Sequence, residues 1–368
     1  MASYIFDGSS SISLTKRPFF SIVVPCYNSR ETLGALLESI VLQHMNDEIE
    51  VVLSDDCSNE SYQDIVEQYN QTLCIRQVKT DYNFAPGNTR ERGVSIATGE
   101  WITFADHDDE FIPDTLKIVK QVLLESKEQY YAICNFYERD PKTDRIIRQM
   151  VGTKNWNHAK FYNKDHLWDA FDIHFKKDLL THEDIYISSL VNCAVSQVNR
   201  EEEPLFINLF CYIWNNRPTS ISREKYGNHT FLEVFYPDYI ESTGYVYIDQ
   251  YLNHGLDQLY ATQSVFEVLL YCYFYTESFK FHDPVDYIRD NVDITRQFLI
   301  TIKESFGYTN EFIWNFVAQN DANLYVGVRE NASIAAGPYI ESKTFAQWLD
   351  YLHKDIKPRV TMSDAMHK

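Results

Sequence analysis

Three short apolar runs, Phe19–Pro25, Ile49–Leu53 and Trp101–Ala105, each stop at a polar cluster. Those clusters are Tyr27-Asn28, Asp55-Asp56 and Asp106-His107-Asp108-Asp109. Runs of this length, broken by proline or acids, read as buried strands. Between them, Leu33, Leu36, Leu37, Ile40 and Val41 recur at helical spacing behind Ser29, a residue suited to cap a helix. The same reading predicts helices over Tyr62–Tyr69 and Gly87–Ala97, the latter closed by Gly99, and a strand over Cys74–Val78. Pro113 is expected in the first turn of a further helix, Asp114–Glu125. Strand and helix alternating in this way imply a parallel α/β sheet. Ligands of such sheets bind beyond the carboxyl ends of the strands, where the three polar clusters fall.

The chain has 368 residues, enough for one large domain or two ordinary ones. Residues 1–18 read as an N-terminal tail and 19–222 as the α/β domain. From about residue 223 the pattern changes to Tyr, Phe, Leu and Ile at mixed spacing. Helical stretches at Ser264–Tyr275, Asp293–Ser305 and Lys343–His353 predict a mainly α-helical C-terminal domain over 223–368, suited to acceptor binding or oligomerisation. Asn331–Gly337 reads as a loop. A net charge of −20 opposes tight binding of a polyanion. Seven scattered cysteines without a CxxC pair argue against a disulfide framework or zinc site and fit a reducing cytoplasm. Polar Met1–Lys16 does not resemble a secretory leader. The longest apolar run, Val265–Tyr275, is too short to span a bilayer, so membrane contact is expected to be peripheral at most.

Asp106, Asp108 and Asp109 place three carboxylates within four residues, directly after an apolar strand. Their mutual repulsion and partial desolvation raise their pKa values unless a cation or donors intervene. A hard divalent ion, Mn²⁺ or Mg²⁺, relieves this by taking oxygen ligands and leaves positions for substrate phosphates.

Four blocks then identify a resemblance. They are Ser21–Asn28, Ser54–Ser58, Asn83–Gly93 with Arg90, and Ala97–Asp109. In order and spacing they resemble the family 2 glycosyltransferases of GT-A fold, a Rossmann-like, mostly parallel sheet flanked by helices. The resemblance implies that Tyr27 stacks on the nucleotide base with Pro25 alongside. It implies that Asp56 accepts a hydrogen bond from the base, braced, like the base itself, by Arg90. Asp106 is expected at the ribose and the metal, Asp108 on the metal, and Asp109 at the donor sugar and diphosphate. The chain departs from the family at Cys57, where glycine is common. It departs again at Thr89-Arg90-Glu91, where Ala-Arg-Asn is common, and at Phe84-Ala85-Pro86 before Gly87.

Further along, Leu179–Tyr186 resembles the family's segment carrying the catalytic base. It implies Asp184 as base, with Glu183 at the sugar or acceptor and Thr181 as a helix cap. Tyr212–Ser220 is similar to a segment that closes the donor site, implying Trp214 at the sugar and Arg217 at the diphosphate. His107 reads as a polar neighbour and His229 as an additional metal ligand. The expected activity is metal-dependent, inverting transfer from a nucleotide-diphosphate-sugar, of the UDP type, to a hydroxyl of a glycan or wall polymer. Two other readings stand beside it: glycosylation of hydroxymethylated bases in viral DNA, and a catalytically decayed nucleotide-sugar binding module. A homo-oligomer is compatible with each.

Overall fold

The computed structural model describes residues 14–126, 129–154, 156–177, 179–198, 204–218, 220, 225–226, 229–230, 236–279, 286–317, 319, 347 and 349. The chain divides into two compact units, Met1–Pro218 and Thr219–Lys368.

The first unit is built on one sheet. Its first half is parallel: β3 (Cys74–Lys79), β2 (Ile49–Asp55), β1 (Phe20–Cys26) and β4 (Trp101–Phe104) lie side by side in that order. Along β1, Phe20, Ile22 and Val24 enter one core with Leu33, Leu36 and Leu37 of α1 (Arg30–Val41), while Val23 enters the other with Val94 of α3 (Pro86–Ile96). This period of two explains the unbroken apolar run, since both faces of the strand are covered. α2 (Gln63–Tyr69) adds Ile65 and Val66 to the first core. The expected mostly parallel α/β fold is therefore present, but the sheet continues with mixed polarity. β8 (Lys160–Asn163) runs antiparallel to both β4 and β6 (Tyr131–Asp140). β9 (Leu205–Asn215) then pairs in parallel with β6 and antiparallel with the two-residue β5 (Glu110–Phe111). β7 (Arg145–Met150) pairs with β6. α5 (Glu183–Val198) contributes Ile187, Val191 and Ala194 to the core beside α3.

Three local expectations are corrected. Ser29 precedes α1, but its side chain does not cap the helix; both its Oγ and its N–H engage the Tyr62 hydroxyl at 3.0 Å. Pro113 lies before α4 (Thr115–Glu125), because Asp114 takes a left-handed conformation (φ 59°) and interrupts the run. One amide at the start of α4 is satisfied from outside, Leu116 N–H donating to Gln43 Oε1 at 3.0 Å. Gly99 does not close α3 through left-handed geometry, since the residue after the helix, Ala97, is extended. Its need for glycine is steric: a Cβ there would lie 2.5 Å from Ser21 Oγ and 2.6 Å from the Ser21 nitrogen.

The second unit is mainly helical among its described residues. It contains Tyr236–Tyr239, a π-helical turn Ile240–Gly244, and helices Tyr245–Asn253, Gln258–Phe279 and Asp286–Phe306. The helical stretches expected at Ser264–Tyr275 and Asp293–Ser305 fall inside the last two. Gly244 lets the Phe298 ring pack directly on the backbone, 2.5 Å from where a Cβ would stand. Lys343–His353, apart from two residues, and Asn331–Gly337 lie outside the described residues, as does most of the 1–18 tail. No helix among the described residues is long and apolar enough to cross a membrane.

Backbone crowding at Gly99 gives a direct test. Gly99→Ala is expected to lower unfolding free energy by about 1–3 kcal/mol, since a backbone atom must move. Gly34→Ala, in α1 with open space around it, is expected to raise it by about 0.4–1 kcal/mol. Denaturant titration of the two variants measures both.

Candidate active site

The parallel strands end together. Cys26 pairs with Asp55, and Ala105 N–H donates to Val23 C=O at 3.1 Å, so Tyr27, Asp56 and Asp106 emerge at one edge of the sheet. Asn28 turns the chain there with φ 48°, and its side chain accepts from Asn59 N–H at 3.0 Å, tying the first two polar clusters together. Tyr27 is 49% exposed, an aromatic face left open at a strand end. Pro25 lies just inside it on β1.

Asp56 is buried and both of its oxygens are engaged. Arg92 Nη2 donates to Oδ1 at 2.7 Å, and Phe84 N–H donates to Oδ2 at 2.9 Å. The arginine expected here was Arg90; the structure uses Arg92 instead. Residues two apart on a helix point to different sides. Arg92 of α3 therefore turns toward β2, and Arg90 toward the acidic segment. Gly93 makes the approach of α3 possible, since a Cβ would stand 2.4 Å from Val23 Cγ1.

Arg90 is buried and bridges two elements. Its Nη2 donates to Asp106 Oδ1 and its Nη1 to Glu183 Oε1, both at 2.7 Å. The end of β4 is thereby tied to the start of α5. Burial alone lowers the arginine pKa, but the charges of Asp106, Glu183 and Asp184 raise it on balance. Burial likewise pushes Asp106 up, and Arg90 overrides it, leaving Asp106 below the usual carboxylate range.

The acidic segment is clamped by β9. Asp109 N–H donates to Asp106 C=O at 3.0 Å, closing a turn. Tyr212 Oη donates to Asp109 Oδ2 at 2.8 Å and accepts from Asp106 N–H at 3.1 Å. Asn215 N–H donates to Asp109 Oδ1 at 2.8 Å, and Asn215 Nδ2 to Asp108 C=O at 2.7 Å. Asp109 is thus a buried anchor, its pKa driven well up by burial and then by Asp106 and Asp108. Asp108 is also raised, by burial first and the Asp106 charge, against the opposing charges of His107 and Arg217. Its carboxylate keeps 24% exposure, with Arg217 Nε 3.3 Å from Oδ2. His107 turns aside to the Thr32 hydroxyl at 2.8 Å.

Two arrangements could take a cation. Ligand atoms of Asp106, Asp109 and His158 lie within 4.8 Å of one another. However, Asp109 has both oxygens engaged, and the His158 ring is stacked between Tyr212 and Trp214 at 5.4 and 5.8 Å. Burial lowers the His158 pKa to about 4. The more open Asp108, flanked by Asp106, offers hard oxygen donors whose charge is incompletely balanced, which fits Mn²⁺ or Mg²⁺ better. His229 pairs through its backbone with Tyr226 in a two-residue strand of the second unit, and its side chain lies outside the described residues.

At the start of α5, Asp184 is partly buried and accepts from Ile185 N–H at 2.8 Å. Burial, then Glu183, push its pKa up to about 7. Thr181 Oγ1 meets His182 Nδ1 at 2.7 Å. Trp214 packs edge-on against Trp156 at 5.2 Å, beside His158. Trp156, His158, Arg92, Tyr212 and Asn215 carried no predicted role. Tyr212 and Asn215 fall within Tyr212–Ser220 and Arg92 within Asn83–Gly93, where it is legible only as a second arginine on the opposite side of α3.

Removing Arg92 would leave Asp56 buried without its cation. Arg92→Leu is expected to cost about 3–5 kcal/mol in denaturant unfolding, and a double variant with Asp56→Leu is expected to regain most of it.

Residues 21–180 match the family described as Glycosyl transferase family 2. The poly(ribitol-phosphate) beta-N-acetylglucosaminyltransferase TarS of Staphylococcus aureus is 30% identical over 179 residues, 45% of this chain and 31% of that protein. The GalNAc(5)-diNAcBac-PP-undecaprenol beta-1,3-glucosyltransferase of Campylobacter jejuni is 26% identical over 195 residues, 51% of this chain and 62% of that protein. The chain thus matches about a third of the length of TarS and under two thirds of the second relative. The crystal structure of S. aureus TarS 1-349 in complex with UDP-GlcNAc superposes with a TM-score of 0.63 at 22% identity, covering 84% of this chain and 90% of that one, and so shares the GT-A fold. Over residues 21–180 the chain is thus similar to glycosyl transferase family 2, and the relatives it resembles there are glycosyltransferases.

Proposed function

We propose that this enzyme transfers a sugar, with inversion, from a UDP-sugar to a hydroxyl of a glycan or wall-polymer acceptor, with Asp184 as general base. The observation that carries the reading is the Arg90 bridge, which joins Asp106 at the end of β4 to Glu183 beside Asp184 at the start of α5. It brings the acidic segment and the Glu183-Asp184 pair to one site. The relatives named above act on poly(ribitol-phosphate) and on an undecaprenol-linked glycan, and one related structure holds UDP-GlcNAc. These support a polymer or lipid-linked acceptor and a uridine nucleotide.

In this reading Tyr27 stacks on the base beside Pro25, and Asp106 meets the ribose. Asp56 is tied by Arg92 and Phe84 N–H. It can still accept a base N–H through a remaining lone pair. Asp108 and Asp106 would hold the divalent ion. Such an ion supplies charge neutralisation for the departing diphosphate. Arg217, beside Asp108, adds a second positive charge there, and Trp214 lines the sugar. Asp109 orders the loop between them. Asp184 takes the proton of the acceptor hydroxyl while that oxygen bonds to the anomeric carbon and the bond to the diphosphate breaks. Glu183, held by Arg90, contacts the sugar or acceptor. The second unit serves the acceptor or oligomerisation.

A base is active when ionised, so kcat/KM is expected to rise with pH through about 7, following Asp184. Asp184→Asn is expected to keep donor binding and lose about 10²–10⁴-fold in transfer; full transfer would move the base elsewhere. Asp108→Ala is expected to abolish Mn²⁺-dependent UDP binding in calorimetry, and unchanged binding would sink the metal assignment.

A further inference from the structure

Lys160 is fully buried, at 0% exposure, in a strand whose four residues are all buried. Lysine rarely occupies such a position unless paired. Its Nζ donates to the Lys154 carbonyl and to Ser188 Oγ, the latter at 3.0 Å. Both acceptors are neutral, and among the described residues no carboxylate lies within ion-pair distance of it. Ser188 sits on α5 four residues after Asp184, so the two occupy one face of that helix a turn apart. The ammonium is therefore anchored to α5 directly below the proposed base.

We infer that Lys160 is a positioning residue for Asp184: from β8 it pins the first turns of α5 and supplies the buried positive charge that sustains the Asp184 carboxylate. The inference rests on the assignment of Asp184 under Proposed function. Burial pushes Lys160 down to about 7, and the charge of Asp184 opposes this shift. Lys160 in turn joins Arg90 in lowering the pKa of Asp184. The groups facing Asp184 are Glu183 on its own helix, Arg90 from α3, and Lys160 and Tyr162 from β8. Those facing Lys160 are Asp184, Lys154 and His158. Arg90 is shared with Asp106 and Glu183, whereas among the described residues Asp184 is the acidic neighbour of Lys160. The sign follows: loss of the ammonium makes the ionised Asp184 costlier, so its proton is released at higher pH.

The test compares pH profiles of the full chain. Lys160→Met keeps the length of the side chain and removes the charge. It is expected to move the acid limb of kcat/KM upward by about one pH unit while UDP-sugar affinity stays unchanged. An acid limb in the wild-type position, in a variant that binds UDP normally, overturns the inference. Asp184→Asn, assayed alongside, separates the two ideas. If it keeps full transfer, the base assignment fails, whatever Lys160 does. If it is inactive while the Lys160→Met profile is unchanged, only the Lys160 role fails. Should Lys160→Met not fold, carbon NMR on the wild-type chain decides. The Lys160 Cε and Asp184 Cγ resonances are expected to titrate over one shared pH range. A Lys160 signal that titrates independently of Asp184 overturns the coupling.

Discussion

The site depends on one buried guanidinium. Arg90 reaches across from α3 and holds Asp106 with one nitrogen and Glu183 with another. Without it, the end of the central strand and the start of α5 would present repelling carboxylates at low exposure. A buried ion pair of this kind costs about 3–5 kcal/mol when one partner is removed, because the remaining charge stays desolvated. The arginine fork suits the task, since its planar donors serve two carboxylates from fixed directions. Placement of Arg90 rests in turn on Gly93, whose missing side chain lets α3 settle against Val23.

Around that bridge, three adjacent acids take three different states. Asp106 is ionised and paired. Asp109 is buried and consumed by hydrogen bonds from Tyr212 and Asn215. Asp108 is partly open, raised by burial and the Asp106 charge, with Arg217 beside it. The environment separates chemically identical side chains into a paired charge, an anchor and a partly open carboxylate. β9 makes this possible by reaching the acidic turn from the far side of the sheet, through its pairing with the two-residue β5.

Much of this was legible in the residues. The apolar runs, their polar ends and the helical spacings located four parallel strands and the crevice. The spacing of the acidic quartet pointed to a cation, and the acidic pair at Glu183-Asp184 to a helix start. What escaped was every choice among near-equivalent residues. Arg90 and Arg92 are two positions apart, and only the direction of α3 decides which one meets Asp56. Ser29 has the chemistry of a cap, yet the Tyr62 hydroxyl comes close enough to claim it. Gly99 looks like a helix terminator, and its actual role is to clear the Ser21 backbone.

The sequence by itself determined the parallel half of the sheet, because alternation of apolar periodicities is a local property of the chain. It also determined where the carboxylates cluster, since they are neighbours along the backbone. Only the tertiary structure decided which carboxylate is paired, which is locked and which stays open, because those states depend on burial and on partners from α3, β8, β9 and α5. Lys160 marks the difference most sharply. In the sequence it is one lysine among 33 basic residues; in the fold it is a buried charge facing Asp184, because β8 enters the sheet beneath α5.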